Sequence, residues 1–346
     1  MGSKKSTQAT AGRLGELALI RQIRSRAAHS SRSGLRLGIG DDCALLASRP
    51  GEELAVTTDL SIAGRHFRLD WHAPEAVGHR ALARGLSDLA AMGARPVAAF
   101  LSLALPRELT TAKGRRPAWV ERFLDGLLAL AKAHQTPLAG GDLSEAPLAL
   151  ADIVLVGAVP KGKAMLRSGA RAGHLLYVTG MLGGAAAGLA RLSELAGETL
   201  AGRSKPPAIP KKLEVLLAPH LFPQPRIAQG LWLQRHGLAS AALDLSDGLS
   251  TDLGHLCEES GVAAEVDAER IPTHPGATLT EALNGGEDYE LLFTAPASKR
   301  MPRSIAGIAI TQIGRMVKGR AGQPAVTLLT DHGLEPLKPH GWEHFS

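Results

Sequence analysis

Cysteine is nearly missing from this sequence: Cys43 and Cys257 are the only two in 346 residues. Two thiols so far apart build neither a disulfide framework nor a thiolate zinc site, and a reducing compartment, the cytoplasm, is expected. Aromatic residues make up 3% of the chain. That leaves few rings for stacking bases, so no nucleic acid is expected as a partner despite a net charge of +6. The longest apolar stretches, such as Ile153–Val159 and Leu127–Ala131, fall well short of the roughly 18 residues that cross a bilayer. Two lysines near the N-terminus have no apolar run behind them, so neither a membrane span nor export is expected. The 13 histidines include no H-E-x-x-H pair, which removes the support for a zinc hydrolase.

What remains is ordinary globular material, 45% hydrophobic and 21% charged, long enough for two domains. Residues 1–30 read as a flexible leader and a first helix beginning at Leu14, residues 31–160 as an N-terminal α/β domain, and residues 161–346 as a C-terminal α/β domain. The Gly-, Lys- and Arg-rich stretch from Pro160 to Gly173 marks the boundary. Strands are expected at Leu54–Thr58, Val97–Leu105, Ala149–Val159 and Leu175–Thr179. Apolar spacing predicts helices from Pro74 to near Gly93, from Pro117 through Ala131, from about Gly188 to Gly197, over Ile227–His236, and from Ser246, read as its cap, to Ser260. The Pro-rich run Gly202–Lys212 is expected to be a loop.

Carboxylates beside Gly, Ser and Thr at the ends of predicted elements are the informative feature. They are Asp41 and Asp42 in Gly-Ile-Gly-Asp-Asp, Asp59 in Thr57-Thr58-Asp, Asp88 in Leu-Ser-Asp-Leu, Asp142 in Gly-Gly-Asp, Asp244 and Asp247 in Asp-Leu-Ser-Asp-Gly, and Glu287 with Asp288 in Gly-Gly-Glu-Asp-Tyr-Glu. Turn chemistry explains any one of these. It does not explain Asp88, late in an apolar helix where the dipole disfavours negative charge and where Leu86, Leu89 and Ala90 supply no cation. Something positive should face it. Hard oxygen ligands in surplus favour Mg²⁺, which usually bridges carboxylates to substrate phosphates. Asp152 and Asp252 stand outside these motifs and are read as structural, Asp252 as a solvated helix position. Cys43 reads as a small buried residue. Two further patterns are decoys. Gly157-Ala-Val-Pro-Lys-Gly-Lys-Ala164 lacks the Ser or Thr of a P-loop and carries Pro160 in the cradle. Thr179–Gly188 lacks dinucleotide spacing and suits close helix packing.

In order and approximate spacing from about residue 36 onward, these motifs, with Gly64-Arg-His-Phe67, Arg167-Ser-Gly-Ala-Arg-Ala-Gly173 and Gly341-Trp-Glu-His-Phe345, resemble the thiamine-monophosphate kinases. That family belongs to the aminoimidazole-ribonucleotide-synthetase-like superfamily. The resemblance implies an α/β (α+β) two-domain fold with mixed sheets flanked by helices, and a homodimer made through the N-terminal domains. It also implies an ATP-dependent phosphorylation of thiamine monophosphate to thiamine diphosphate. Carried over motif by motif, Asp42, Thr57, Thr58, Asp59, Asp88, Asp142, Asp244 and Asp247 would hold several Mg²⁺ ions. Gly141, Asp142, Arg167 and Ser246 would contact ATP, and His66, Glu287 and Trp342 the thiamine substrate. Asp88, Asp142 and Asp247 would matter most. Leu143-Ser144 follows Asp142 where the family often has Thr-Thr, so no threonine contact is carried over there.

The acceptor so implied is a phosphate monoester with a second pKa of about 6, already nucleophilic at neutral pH. No catalytic base is required, and the expected mechanism is direct in-line transfer with cations screening two polyanions. Two other readings stay open. One is a different ATP-dependent member of the superfamily, a purine-pathway ribonucleotide synthetase or a selenophosphate synthetase, although residues 1–35 hold no cysteine for the latter. The other is a non-catalytic Mg-nucleotide sensor or scaffold.

Overall fold

Leu19 and Ile23 bury one side of the first helix, α1 (Glu16–Arg26), against the N-terminal core. The chain is described here from a computed structural model covering residues 16–27, 34–40, 43–112, 116–199, 206–320, 322–323 and 325–341. Leu14, expected to begin the first helix, therefore lies outside the described residues, as do Asp41, Asp42 and Trp342. After α1 come the antiparallel pair β1 (Leu35–Leu37) and β2 (Leu45–Leu46), then β3 (Glu52–Ile62), α2 (Pro74–Ala91), β4 (Arg95–Leu105), α3 (Trp119–Ala133), β5 (Leu138–Glu145) and β6 (Leu150–Pro160). The last four strands form a mixed sheet in the order β3-β6-β4-β5, with β4 and β5 parallel. Helices α2 and α3 cover one face. They approach so closely that a Cβ on Gly78 would stand 1.9 Å from the Phe123 carbonyl oxygen, and one on Gly126 1.9 Å from that of Glu75.

Alternation along β3 sorts its residues. Thr57 and Asp59 face α2, where they meet Asp88 and Arg84. Leu54, Val56, Thr58 and Leu60 stand on the opposite face and are exposed, as a period of two requires.

The second half runs β7 (His174–Thr179), α4 (Gly184–Thr199), α5 (Glu214–Leu221), α6 (Ile227–His236), β8 (Ala241–Asp244), α7 (Leu249–Ser260), β9 (Ala263–Asp267), α8 (Leu279–Asn284), β10 (Leu291–Pro296), β11 (Ser304–Ile305), β12 (Ile308–Val317), β13 (Val326–Thr330) and β14 (Gly333–Pro336). Among the described residues it forms an eight-stranded sheet, β14-β13-β9-β12-β7-β10-β8 with β11 beside β12. Leu249, Leu253 and Leu256 of α7 pack into its core. The whole is a two-domain α/β fold with mixed sheets flanked by helices.

The structure corrects several sequence expectations. Asp252 is 4% exposed rather than solvated. Its Oδ2 accepts the backbone N–H groups of Ser246, Asp247 and Gly248 at 3.0–3.1 Å. It does the capping assigned to Ser246, and α7 starts only at Leu249, after Gly248. Cys43 is exposed, not buried. Gly140-Gly141-Asp142 is not a turn but part of β5, because the chain stays paired with Phe100–Ser102 of β4. Gly141 has φ +146° there, and a Cβ on it would meet the Leu101 oxygen at 1.8 Å. After Gly157–Pro160 the next regular element is β7, not the helix a P-loop needs. Helix α5 was not expected, whereas α8 falls in the C-terminal stretch expected only as strands alternating with helices.

Candidate active site

From Ala76 to Ala91 every residue of α2 is buried except Arg84 and Asp88. Four residues apart, they share a helix face, and that face opens into a cleft of about 540 Å³ lying between the two halves of the chain. The positive charge that Asp88 called for comes first from Arg167, in the β6–β7 segment, and then from Arg84, one turn earlier on its own helix. Sequence neighbours were the wrong place to look for it.

Carboxylates from both halves line this cleft: Asp59 and Asp88 from the first, Asp244 and Asp247 from the second. Asp88 accepts the Thr57 hydroxyl. Ser87 Oγ donates to Asp244 Oδ2 at 2.6 Å, tying α2 to the end of β8. Burial dominates the proton affinities of Asp59, Asp88 and Asp244. It pushes Asp59 up to about 6, with Arg84 opposing and Asp88 adding to the rise. It also lifts Asp88, against the Thr57 hydrogen bond and the charges of Arg167 and Arg84. Asp244, beside Asp88, is raised well above the ordinary carboxylate range. Such a set calls for positive charge. Arg84 supplies part, its Nε 3.3 Å from Asp59 Oδ1.

The remaining expected residues divide. His66, Ser246 and Glu287 line the same cleft, His66 with its Nδ1 accepting the Ile62 N–H at 3.1 Å. Glu287 sits at φ +65° and Tyr289 at φ +52°. Their backbone N–H groups bond the carbonyls of Ser246 and Leu245, so this loop is pinned to the one that carries Asp247. Gly141, Asp142, Thr58 and Arg167 are not in the cleft lining. Asp142 is exposed, and its cross-strand partner is Ser102. Asp288 is not in the cleft lining and accepts the N–H groups of Gly183 and Ala185 at the start of α4. Sequence reasoning missed Arg80, Arg84, His72 and His220, which also line the cleft. Only the i,i+4 spacing of Arg84 and Asp88 could have signalled any of them.

Among the described residues no three His, Cys, Asp or Glu side chains group tightly enough to enclose an ion by themselves. An oxygen-only set of buried, mutually repelling carboxylates still fits Mg²⁺, which keeps waters and phosphate oxygens in its shell.

Residues 40–159 match the family described as AIR synthase related protein, N-terminal domain, and residues 171–326 its C-terminal domain. The thiamine-monophosphate kinase of Escherichia coli (strain K12) is 40% identical over 344 residues, 96% of this chain and 98% of that one. The chain belongs to the thiamine-monophosphate kinase family. It is thus an enzyme of the phosphotransferase class. A crystal structure of the family member from Stenotrophomonas maltophilia K279a superposes with a TM-score of 0.74 at 38% identity, covering 93% of this chain and 98% of that one. AaThiL complexed with AMPPCP and TMP superposes with a TM-score of 0.72 at 31% identity, over 99% of this chain and 100% of that one.

Proposed function

We propose that this kinase-family chain transfers the γ-phosphoryl group of ATP directly to the phosphate of thiamine monophosphate, giving thiamine diphosphate, with several Mg²⁺ ions at the site. The observation that carries the reading is the convergence of Asp59, Asp88, Asp244 and Asp247 from both halves on one cleft that also holds Arg80 and Arg84. A related protein takes AMPPCP and TMP together, which supports the choice of co-substrates. Bound Mg²⁺ would neutralise phosphate charge and clamp the attacking and leaving oxygens. The chain's own part is positional: Asp59, Asp88, Asp244 and Asp247 would hold the cations, with Asp42, Asp142, Thr57 and Thr58 as further donors. Thr58 would serve through its backbone, since its side chain stands on the outer sheet face. Gly141, Arg167 and Ser246 would meet ATP, and His66, Glu287 and Trp342 the acceptor. No residue need take a proton from an acceptor phosphate that is already ionised.

The reading extends to assembly. Leu54, Val56 and Leu60 leave an apolar strip on the outer face of the N-terminal sheet, with Val56 63% exposed. A second copy covering that face suits the homodimer through residues 31–160, with 161–346 as the outer domain. Among the described residues no helix is long and apolar enough to cross a membrane, and a cytoplasmic location is part of the proposal.

Phosphorus NMR on the protein with Mg·ATP and thiamine monophosphate tests the assignment. The expected result is a growing thiamine diphosphate signal. No turnover here, with turnover of a purine-pathway ribonucleotide, would move the chain to the other ATP-dependent branch. No turnover of any acceptor would make it a binding module.

The buried carboxylates set a pH dependence. Burial pushes Asp252 and Asp288 up to about 7, and Asp59 to about 6. A folded-state value above the unfolded one means the fold holds the proton more tightly, so stability falls as pH rises from about 4 towards 7 and beyond. His72 and His220 act in the opposite sense, because burial and Arg80 hold both low. Their contribution is lost only below about pH 6.5. Metal-free protein is therefore expected to be more stable at pH 6.5 than at pH 8, by about 2 kcal/mol. Mg²⁺ should narrow the gap. Urea melts at the two pH values check this, and equal midpoints would contradict it.

A further inference from the structure

His72 and His220 meet in the cleft wall, and their proton positions follow from their partners. Arg80 Nη1 lies 3.1 Å from His220 Nε2. A guanidinium only donates, so this nitrogen must be the acceptor and His220 carries its proton on Nδ1. His72 Nδ1 lies 3.1 Å from the Arg68 backbone nitrogen and 3.2 Å from the Arg68 carbonyl oxygen, so Arg68 can serve either tautomer. His220 Nε2, 2.9 Å from His72 Nε2 and already an acceptor, places the His72 proton on Nε2. The Arg80 contact thus decides both rings: His72 and Arg80 share the single Nε2 lone pair of a neutral His220. Arg80 then donates with Nη2 to Glu287 Oε2 at 2.5 Å. His220 Nδ1, which has no hydrogen-bond partner, lies 3.8 Å from the same carboxylate oxygen.

This chain spans the cleft. His72 and Arg80 belong to the first half of the protein, His220 and Glu287 to the second. Arg80 and His220 are buried, His220 to 2% exposure, whereas the Glu287 side chain is 28% exposed. The backbone fixes where Glu287 starts, at its left-handed φ, and the network fixes where its carboxylate ends. The arrangement has no net charge, since Arg80 offsets Glu287 and both histidines are neutral. It therefore does not select a cation. What it offers is an aimed acceptor, Glu287 Oε1, for a neutral N–H donor.

We propose that Arg80 and His220 are positioning residues that hold Glu287 to accept a hydrogen bond from an exocyclic amino group on a heteroaromatic substrate, and so set selectivity for the aminopyrimidine of the acceptor. The inference rests on the thiamine monophosphate reading above. A site built to pair with an amino group rejects an analogue lacking it, because its own acceptor is left facing another acceptor.

The test compares kcat/KM for thiamine monophosphate with that for its analogue bearing a 4-oxo group in place of the 4-amino group. The wild-type protein is expected to prefer the amino compound by about 100-fold or more. His220→Leu keeps the volume but removes the acceptor for Arg80 and His72, and should cut the preference below about 10-fold. The KM for ATP should stay unchanged. His220→Gln, which can place an amide oxygen near the lost Nε2, should restore most of the preference. Arg80→Lys keeps the charge without the fork, should lose the preference as His220→Leu does, and serves if His220→Leu fails to fold. An undiminished preference in His220→Leu or Arg80→Lys, or no preference in the wild type, overturns the proposal while leaving the kinase reading standing. Absence of wild-type turnover of thiamine monophosphate would instead remove the reading beneath it.

Discussion

Asp88→Asn is expected to lower turnover by roughly 10²- to 10³-fold without weakening the fold. Asp88 lines the cleft beside Asp244 and Asp59, and burial already holds its proton affinity up. The folded protein therefore bears a cost for that charge, and a neutral isostere relieves it. Asn still offers an oxygen to the Thr57 hydroxyl, so the bond between β3 and α2 survives. What disappears is one negative charge that a divalent cation would use, and with it part of the screening between two phosphates. Raised Mg²⁺ should recover some of the rate, because the loss is in cation affinity as well as in placement. Steady-state rates across a Mg²⁺ titration, with a thermal melt of each protein, check both halves. Wild-type rates would remove Asp88 from the site, and a fall of many degrees in melting temperature would assign it to the fold instead.

How much of this was legible in the sequence depends on the range of the signal. The long apolar patterns of α2, α3 and α7 and the strands β3, β4 and β6 are repeated local features, and they were readable because burial of one face imposes a period. Helix α5 was not, because its eight residues carry Pro219 and little amphipathic contrast. The carboxylate motifs were readable by type and order. Their sharing of a cleft was not, since Asp59, Asp88 and Asp244 meet only once β3, α2 and β8 are packed. The positive groups escaped for the same reason: Arg80 reaches Glu287, 207 positions away. Asp252 escaped differently. One turn into a helix, an aspartate usually reads as solvated, and nothing local says that the preceding loop folds back to donate three N–H groups to it.

That loop is the basis of the second large effect. Asp252→Ala is expected to destabilise the protein by about 3 kcal/mol or more, because it strands buried backbone donors that no other group can reach. The bonds at Ser246, Asp247 and Gly248 hold the turn between β8 and α7. The carbonyl of Ser246 in turn accepts from Glu287. One carboxylate thus fixes both Asp247 and the backbone of Glu287 in the second-half wall of the cleft. Activity should fall with stability, even at temperatures where the variant remains folded. Asp252→Asn separates the two causes: its amide oxygen accepts the same N–H groups, and losing the charge removes the repulsion with Asp247 that helps push Asp252 up to about 7. It should therefore regain most of the stability and, above pH 7, match or exceed the wild type. Urea denaturation at pH 6.5 and pH 8 on the three proteins measures this. If Asp252→Ala melts with the wild type, the three hydrogen bonds are not what holds the loop, and the link from this buried carboxylate to the Asp247 and Glu287 loops is broken.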